Sequence, residues 1–191
     1  KILHIASHSY FLADQQKTLP TYQSPFQTQS ISSVLLKGFF RESPLLRSGI
    51  VLAGANQPAL DGTDDGLLTA LEVSILNWKG TELVVLSGCQ SGQGDIQIGE
   101  GVNGLKRAIT VAGARASVLS LWKVDDEATA VFMETFYQKL KDGESKSQAL
   151  ASTQEAFRSG FITSPNTQKD WSKPFYWAAF QLSGDWRPID W

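Results

Sequence analysis

Apolar and polar residues alternate along this chain in short blocks, and the blocks predict strands and helices in turn. Largely aliphatic runs, typical of strands covered on both faces, lie at 2–6, 50–53, 83–86 and 116–122, and a more aromatic run follows at 175–182. Helical spacing of apolar residues predicts helices at about 67–77, 105–113, 128–141 and 146–159. This alternation indicates an α/β fold: a mostly parallel sheet with helices on both faces. Functional residues are expected along the carboxyl edge of that sheet.

The stretch from Leu12 to about Gln29 breaks this alternation. It is polar and rich in glutamine, and it contains Pro20 and Pro25. Loops of this length are usually functional or mobile. We therefore expect a long exposed loop here, whereas residues 31–40 could form a short helix or a ribbon.

Composition narrows the classes of partner. The 191 residues suit one domain, and a net charge of -2, from 17 basic and 19 acidic residues, gives no electrostatic footprint for nucleic acid or an anionic membrane. No apolar run is long enough to span a membrane. A single cysteine excludes an internal disulfide and fits a reducing, cytoplasmic compartment. Because the chain begins with Lys1, we expect that its native start lies upstream.

Cys89 has the setting of a nucleophile. It follows the buried strand 83–86 and is surrounded by the small residues of Ser-Gly-Cys-Gln-Ser-Gly. His8 follows the first strand in the same way, so parallel pairing would place both side chains at one edge, with His8 as the base. The backbone amides of Cys89 and of Ser9 or Gly88 are candidates for an oxyanion hole. The alternatives are that Cys89 is a small buried hydrophobe and that His8 only ends a strand.

His4 lies within the first strand, four residues before His8, and is therefore displaced by about 13 Å from the edge. We interpret it as a core histidine or as one that supports the site from behind. One cysteine and two histidines do not make a recognisable metal site, so we expect no metal and no other cofactor.

Several stretches together resemble the CHAT domains, the caspase-like peptidase domains often found after TPR repeats. These stretches, in order along nearly the whole chain, are 3–8, 44–49, 52–56, 65–70, 83–92, 120–129 and 173–180.

The resemblance implies a caspase/separase-type sheet and a cysteine endopeptidase with His8 and Cys89 as its dyad. It also implies that residues 1–191 are the C-terminal main part of a single CHAT domain, with the first strand and helix units and any TPR region upstream. A protein or peptide substrate would be cleaved through an acyl-enzyme. The family usually has glycine after the histidine, where this chain has Ser9. A catalytically silent scaffold that binds protein partners is the competing interpretation.

The resemblance also has implications for substrate specificity at P1, the substrate residue immediately before the cleaved bond. The position two before the cysteine, acidic in some relatives with basic specificity, is Ser87 here. The run 122–126 is similar to the separase stretch that supplies an acidic residue to the P1 pocket, which implies Asp126 first and Asp125 second. We therefore expect cleavage after Arg or Lys. The alternative is that an aspartate between a strand and a helix is only an N-cap.

Overall fold

The computed structural model describes residues 1–11, 45–55, 65–87, 100–166 and 168–191. The predicted loop at 12–29 and the possible element at 31–40 lie outside these ranges. The elements in the described part are β1 (Ile2–Ile5), β2 (Ser9–Phe11), β3 (Ser48–Val51), β4 (Leu67–Thr69), α1 (Ala70–Ile75), β5 (Leu83–Leu86), α2 (Glu100–Val111), β6 (Ala116–Ser120), α3 (Asp126–Lys141), α4 (Lys146–Arg158), α5 (Pro174–Trp177) and β7 (Phe180–Gly184).

A four-stranded sheet forms the centre of the fold, in the order β1-β5-β6-β7. The first three of these strands are parallel, and β7 runs antiparallel to β6. The register opposes Ile5 to Leu86 and Leu86 to Leu119. All four residues of β5 are buried, as expected for a strand with neighbours on both sides and helices on both faces. The predicted mostly parallel α/β sheet is confirmed.

Successive side chains of β5 point to opposite faces and enter two separate cores. Leu83 and Val85 pack in a core that is rich in aromatic side chains from α3, α4 and the last third of the chain. Its fully or nearly fully buried rings are Phe132, Phe136, Phe157, Trp171 and Phe180. Val84 and Leu86 pack in a smaller, aliphatic core with residues of α1 and α2. Helices therefore cover both faces, as predicted.

A second sheet, which the sequence did not predict, consists of β2, β3 and β4 in that order, all antiparallel. It is attached to the aliphatic core through Ile50, which is 1% exposed. The strands approach closely at Gly49, where a Cβ would lie 2.6 Å from the carbonyl oxygen of Leu68. A glycine is therefore required at the centre of this small sheet.

Three predicted elements differ from the observed ones. The helix predicted at about 105–113 is α2, which already begins at Glu100. The predicted helix 67–77 begins only at Ala70, because Thr69 and Glu72 form a capping box there and the preceding residues pair with β3 instead. The predicted strand 175–182 begins as the short helix α5, with Pro174 in its first turn, and pairs with β6 only from Phe180. Proline at the start of a helix has the backbone angle that the helix needs.

The helices α3 and α4 agree with the prediction to within two residues at each end. The cap of α4 is a capping box between Ser145 and Gln148, and α2 is followed by Gly113 with φ 102°. In the described ranges, no helix combines the length and apolar character needed to span a bilayer.

Candidate active site

The parallel pairing of β1 with β5 defines the carboxyl edge of the sheet. Ile5 and Leu86 are paired and end their strands. His8 follows Ile5 at the same sequence distance at which Cys89 follows Leu86. Because parallel strands end at the same edge, the two segments that lead to His8 and Cys89 leave the sheet side by side. Cys89 and Gly88 themselves lie outside the described residues.

His8 is exposed, but the backbone around it is held in place. Its carbonyl oxygen accepts a hydrogen bond of 2.7 Å from the amide of Val51 in β3. The hydroxyl of Ser7 donates to the carbonyl oxygen of the same Val51. A well-anchored backbone with an exposed imidazole is what a general base at a substrate cleft needs.

Ser9, the candidate oxyanion-hole donor, is the first residue of β2 and lies opposite Ile50. Hydrogen-bonded pairs alternate along an antiparallel ladder, and His8 already accepts from Val51. The Ser9 amide is therefore directed to the side of β2 away from β3. The residue is buried, at 8% exposed, so its side chain is accommodated where the family usually has glycine.

His4 does not lie in a core. The residue is exposed on β1, so the expectation of a core position is wrong. Its Nε2 lies 2.7 Å from Ser87 Oγ, and its Nδ1 lies 2.9 Å from the hydroxyl of Tyr137 on α3. Partial burial of the ring lowers the pKa of His4, and burial raises the pKa of Tyr137. These two contacts connect β1 and α3 to Ser87, which precedes Cys89 by two residues in sequence.

Asp125 is the N-cap of α3 and accepts a hydrogen bond of 3.0 Å from the amide of Ala128. Its Oδ2 lies 2.9 Å from Lys169 Nζ. Partial burial opposes ionisation, but the Ala128 amide and Lys169 outweigh it and lower the pKa of Asp125. The structure therefore gives Asp125 a capping role, which was the alternative reading of this position.

Asp126 follows in the first turn of α3 and is exposed. The Nζ atom of Lys169 also lies 3.3 Å from Oε2 of Glu127. The start of α3 thus carries three carboxylates, of which those of Asp125 and Glu127 pair with Lys169, and the surface there is acidic.

An aromatic surface adjoins these carboxylates. The indole Nε1 of Trp122 donates a hydrogen bond of 3.1 Å to the carbonyl oxygen of Phe175. Phe175 itself is 50% exposed. Ser120 is paired with Phe180, so α5 lies at the same edge as the end of β6. This surface could accept apolar parts of a substrate.

Sequence reasoning missed three participants at this edge. Tyr137 belongs to an ordinary amphipathic helix, and nothing in its spacing distinguishes it from a half-buried core residue. Lys169 and Phe175 lie in the last third of the chain, far in sequence from the residues they contact. Among the described residues, no group of three or more His, Cys, Asp or Glu side chains is placed to hold a metal ion.

Comparison with known proteins identifies the family. Residues 1–185 match the profile of the CHAT domain. The chain belongs to the CHAT-domain family. Human tetratricopeptide repeat protein 28 is 35% identical to it over 118 residues, and the mouse protein of the same name is 33% identical over 118 residues. The matched part is 62% of this chain but 4% of each of these much longer relatives. CHAT domains are related to caspase-like peptidases and are found after TPR repeats.

Proposed function

We propose that this CHAT domain is a cysteine endopeptidase that cleaves a protein or peptide substrate with His8 and Cys89. The observation that carries the proposal is the parallel pairing of Ile5 with Leu86, since each of these residues precedes one member of the proposed dyad by three positions in sequence. Membership of a family related to caspase-like peptidases supports it. Residues 1–191 would form the main part of a single peptidase domain.

The proposed reaction needs only these groups and water. His8 takes the thiol proton of Cys89, and the sulfur attacks the scissile carbonyl carbon. Backbone amides of Ser9 and of Gly88 or Cys89 stabilise the resulting oxyanion. The leaving amine takes the proton from His8, and an acyl-enzyme remains. Water, deprotonated by His8, then releases the carboxylic acid and restores the thiol.

The setting of the domain is also a proposal. The curated relatives are named for TPR repeats. We expect such repeats in the upstream part of the same protein, where they would present the substrate or control access to the site. The single cysteine fits a reducing compartment, so a cytoplasmic location is proposed.

Cleavage after Arg or Lys is the proposed specificity. Asp126 is exposed in the acidic first turn of α3, and Asp125 is the N-cap of that helix. The similarity of the run 122–126 to the separase stretch favours Asp126 as the residue that meets a basic P1 side chain, with Asp125 second. A buried guanidinium or ammonium needs such a carboxylate.

The test is a thiol-labelling and cleavage experiment. Because Cys89 is the only cysteine, alkylation by iodoacetamide reports on it alone. We expect alkylation faster than that of a free thiol at the same pH. Cys89→Ala and His8→Ala should each lower cleavage of a peptide library by at least about 1000-fold while the unfolding temperature is preserved. Cleavage within about tenfold of the wild-type rate in either variant would move the activity elsewhere.

A silent scaffold that binds protein partners is the second candidate. Ser9, in place of the usual glycine, favours it, because a side chain now adjoins the proposed oxyanion hole. A wild-type domain whose thiol reacts no faster than a free thiol and that cleaves no peptide would support the scaffold.

A further inference from the structure

Two hydrogen bonds connect Ser87 to β1. Its amide donates a hydrogen bond of 3.3 Å to the carbonyl oxygen of Ile5, which continues the pairing of the two strands by one residue. Its hydroxyl lies 2.7 Å from Nε2 of His4 on the same strand. Both the backbone and the side chain of Ser87 are thus fixed at the point where the chain leaves the sheet.

The hydrogen bond between Ser87 and His4 is extended to α3 by a further hydrogen bond from His4 to Tyr137. The hydroxyl oxygen of Tyr137 lies 2.9 Å from Nδ1 of His4, and the centroids of the two rings are 5.6 Å apart. Serine and tyrosine hydroxyls both donate and accept, so either neutral tautomer of His4 completes the chain of hydrogen bonds. The imidazole is held from both sides, and Ser87 is held through it.

We propose that His4 and Tyr137 are positioning residues for Cys89, acting through the hydroxyl of Ser87. This inference rests on the proposed function. Cys89 follows Ser87 by two residues in sequence, and Ser87 is the last described residue before it. On the other side of the site, Ser7 and Val51 fix the backbone of His8. Under this proposal, the hydrogen bonds that hold Ser87 and those that hold the backbone of His8 together set the distance between thiol and imidazole.

The expected size of the effect follows from the geometry of catalysis. A displacement of about 1 Å in a reacting group can cost about 100-fold in rate. We expect binding of the substrate to depend on other surfaces, such as the one that contains Trp122 and Phe175, which are joined by an indole-to-carbonyl hydrogen bond. Loss of the Ser87 hydroxyl should therefore lower kcat and leave KM nearly unchanged.

The experiment uses variants that remove hydrogen bonds but keep shape: Ser87→Ala, His4→Phe and Tyr137→Phe. We expect kcat and the rate of Cys89 alkylation to fall about tenfold in the first two and less in the third, with KM within about twofold of wild type. The double variant Ser87→Ala/His4→Phe should lose no more than either single one, because both remove the same link. Ser87→Thr, which keeps the hydroxyl, should restore most of the rate.

Ser74→Ala is the matched control, since the Ser74 hydroxyl also donates one hydrogen bond, to Leu71 within α1. Its kcat should equal that of wild type. Wild-type rates in Ser87→Ala and His4→Phe, or independent losses that multiply in the double variant, would overturn the inference while the peptidase stands. An unreactive wild-type thiol with no cleavage would overturn the proposed function, and the inference with it.

Discussion

The two edges of the central sheet treat polar groups in opposite ways. At the carboxyl edge, His4, His8 and Asp126 are exposed and Ser87 is half-buried. At the amino edge, Lys146 is 0% exposed and Glu82 is 7% exposed. Polar side chains are thus open to solvent where β1, β5 and β6 end, and enclosed where β5 begins.

The enclosed groups at the amino edge form a small ionic network. Glu82 comes directly before β5, and its Oε1 lies 2.9 Å from Arg115 Nη1. Its Oε2 lies 3.6 Å from Lys146 Nζ, an ion-pair distance beyond hydrogen-bonding range. Among the described residues, the Lys146 ammonium makes no hydrogen bond. Glu82 is its ion-pair partner, and the Asp185 carboxylate also interacts with its charge.

The comparison separates groups that stabilise the fold from groups that can act on a substrate. Removing a charge from water costs several kcal/mol, and an enclosed pair repays this only while both partners are present. Exposed groups bear little of this cost, so their loss should affect chemistry more than folding. Mutations at the two edges should give opposite signatures.

The largest effect on stability is expected at the amino edge. Glu82→Gln leaves the enclosed Lys146 without its ion-pair partner and should lower the free energy of unfolding by about 3 kcal/mol. Urea unfolding measures this. Glu82→Gln/Lys146→Met should recover most of the loss, because an uncharged pair needs no compensation. Cleavage per folded molecule should stay at the wild-type level, and a loss of less than about 1 kcal/mol would show that the pair is solvated.

The next effect concerns specificity at the carboxyl edge. Asp126→Asn should lower kcat/KM for peptides with Arg at P1 by at least about tenfold, because it removes charge and keeps size. Asp126→Ala should do the same, since the cap of α3 is Asp125 and stays intact. The unfolding temperature of each variant is measured alongside, so that kcat/KM is compared per folded molecule. Full activity of Asp126→Asn on such peptides, or a preference for Asp or small apolar P1 residues, would rule out this assignment.

A smaller effect is expected for the neighbouring cap. Asp125→Ala removes the acceptor for the Ala128 amide and should lower the free energy of unfolding by about 1 kcal/mol. Asp125→Asn keeps an acceptor and should cost less, so the difference between the two variants measures capping. Chemical denaturation of both variants is the measurement. If both lose equal stability, the Lys169 contact is the greater contribution.

The smallest effect is a pH dependence of stability from His4. Its pKa is lowered in the folded protein, so below about 6.5 the unfolded chain binds more protons at this site. Wild type should therefore lose stability as the pH falls from about 6.5 to the lowered pKa of His4. Below that pKa, protonation of His4 should cause no further loss. Comparing urea midpoints of wild type and His4→Phe at several pH values isolates this contribution. Identical pH profiles would show that the ring is as hydrated as in the unfolded chain.

Much of the central fold could be predicted because its signals are local. The strand 83–86 is uninterruptedly aliphatic, and the helices α3 and α4 have clear apolar spacing and polar caps. The second sheet was missed because its strands are three or four residues long and depend on distant pairing, as between Ser9 and Ile50. The start of α1 was misplaced because leucines at 67 and 68 suit either a strand or a helix.

The candidate site was predictable only in outline. Alternating strands and helices suggested that Cys89 and His8 share an edge, and the order and register of β1 and β5 agree with that arrangement of their strands. The link from Tyr137 through His4 to Ser87 joins residues separated by most of the chain, and no local pattern encodes it. The double engagement of Asp125 likewise depends on Lys169, which lies beyond two helices.

The pairing of β1 with β5 also has a consequence for when activity first arises. Ile2 pairs with Leu83 across about eighty residues, a long loop to close, whereas β5, β6 and β7 and the helices between them follow one another closely in sequence. Contacts of such high contact order form late in folding. For the proposed endopeptidase, the strand that leads to the base would therefore join the strand that leads to the nucleophile in one of the last steps. A newly synthesised chain would be protected from self-digestion by its own topology until the domain is complete.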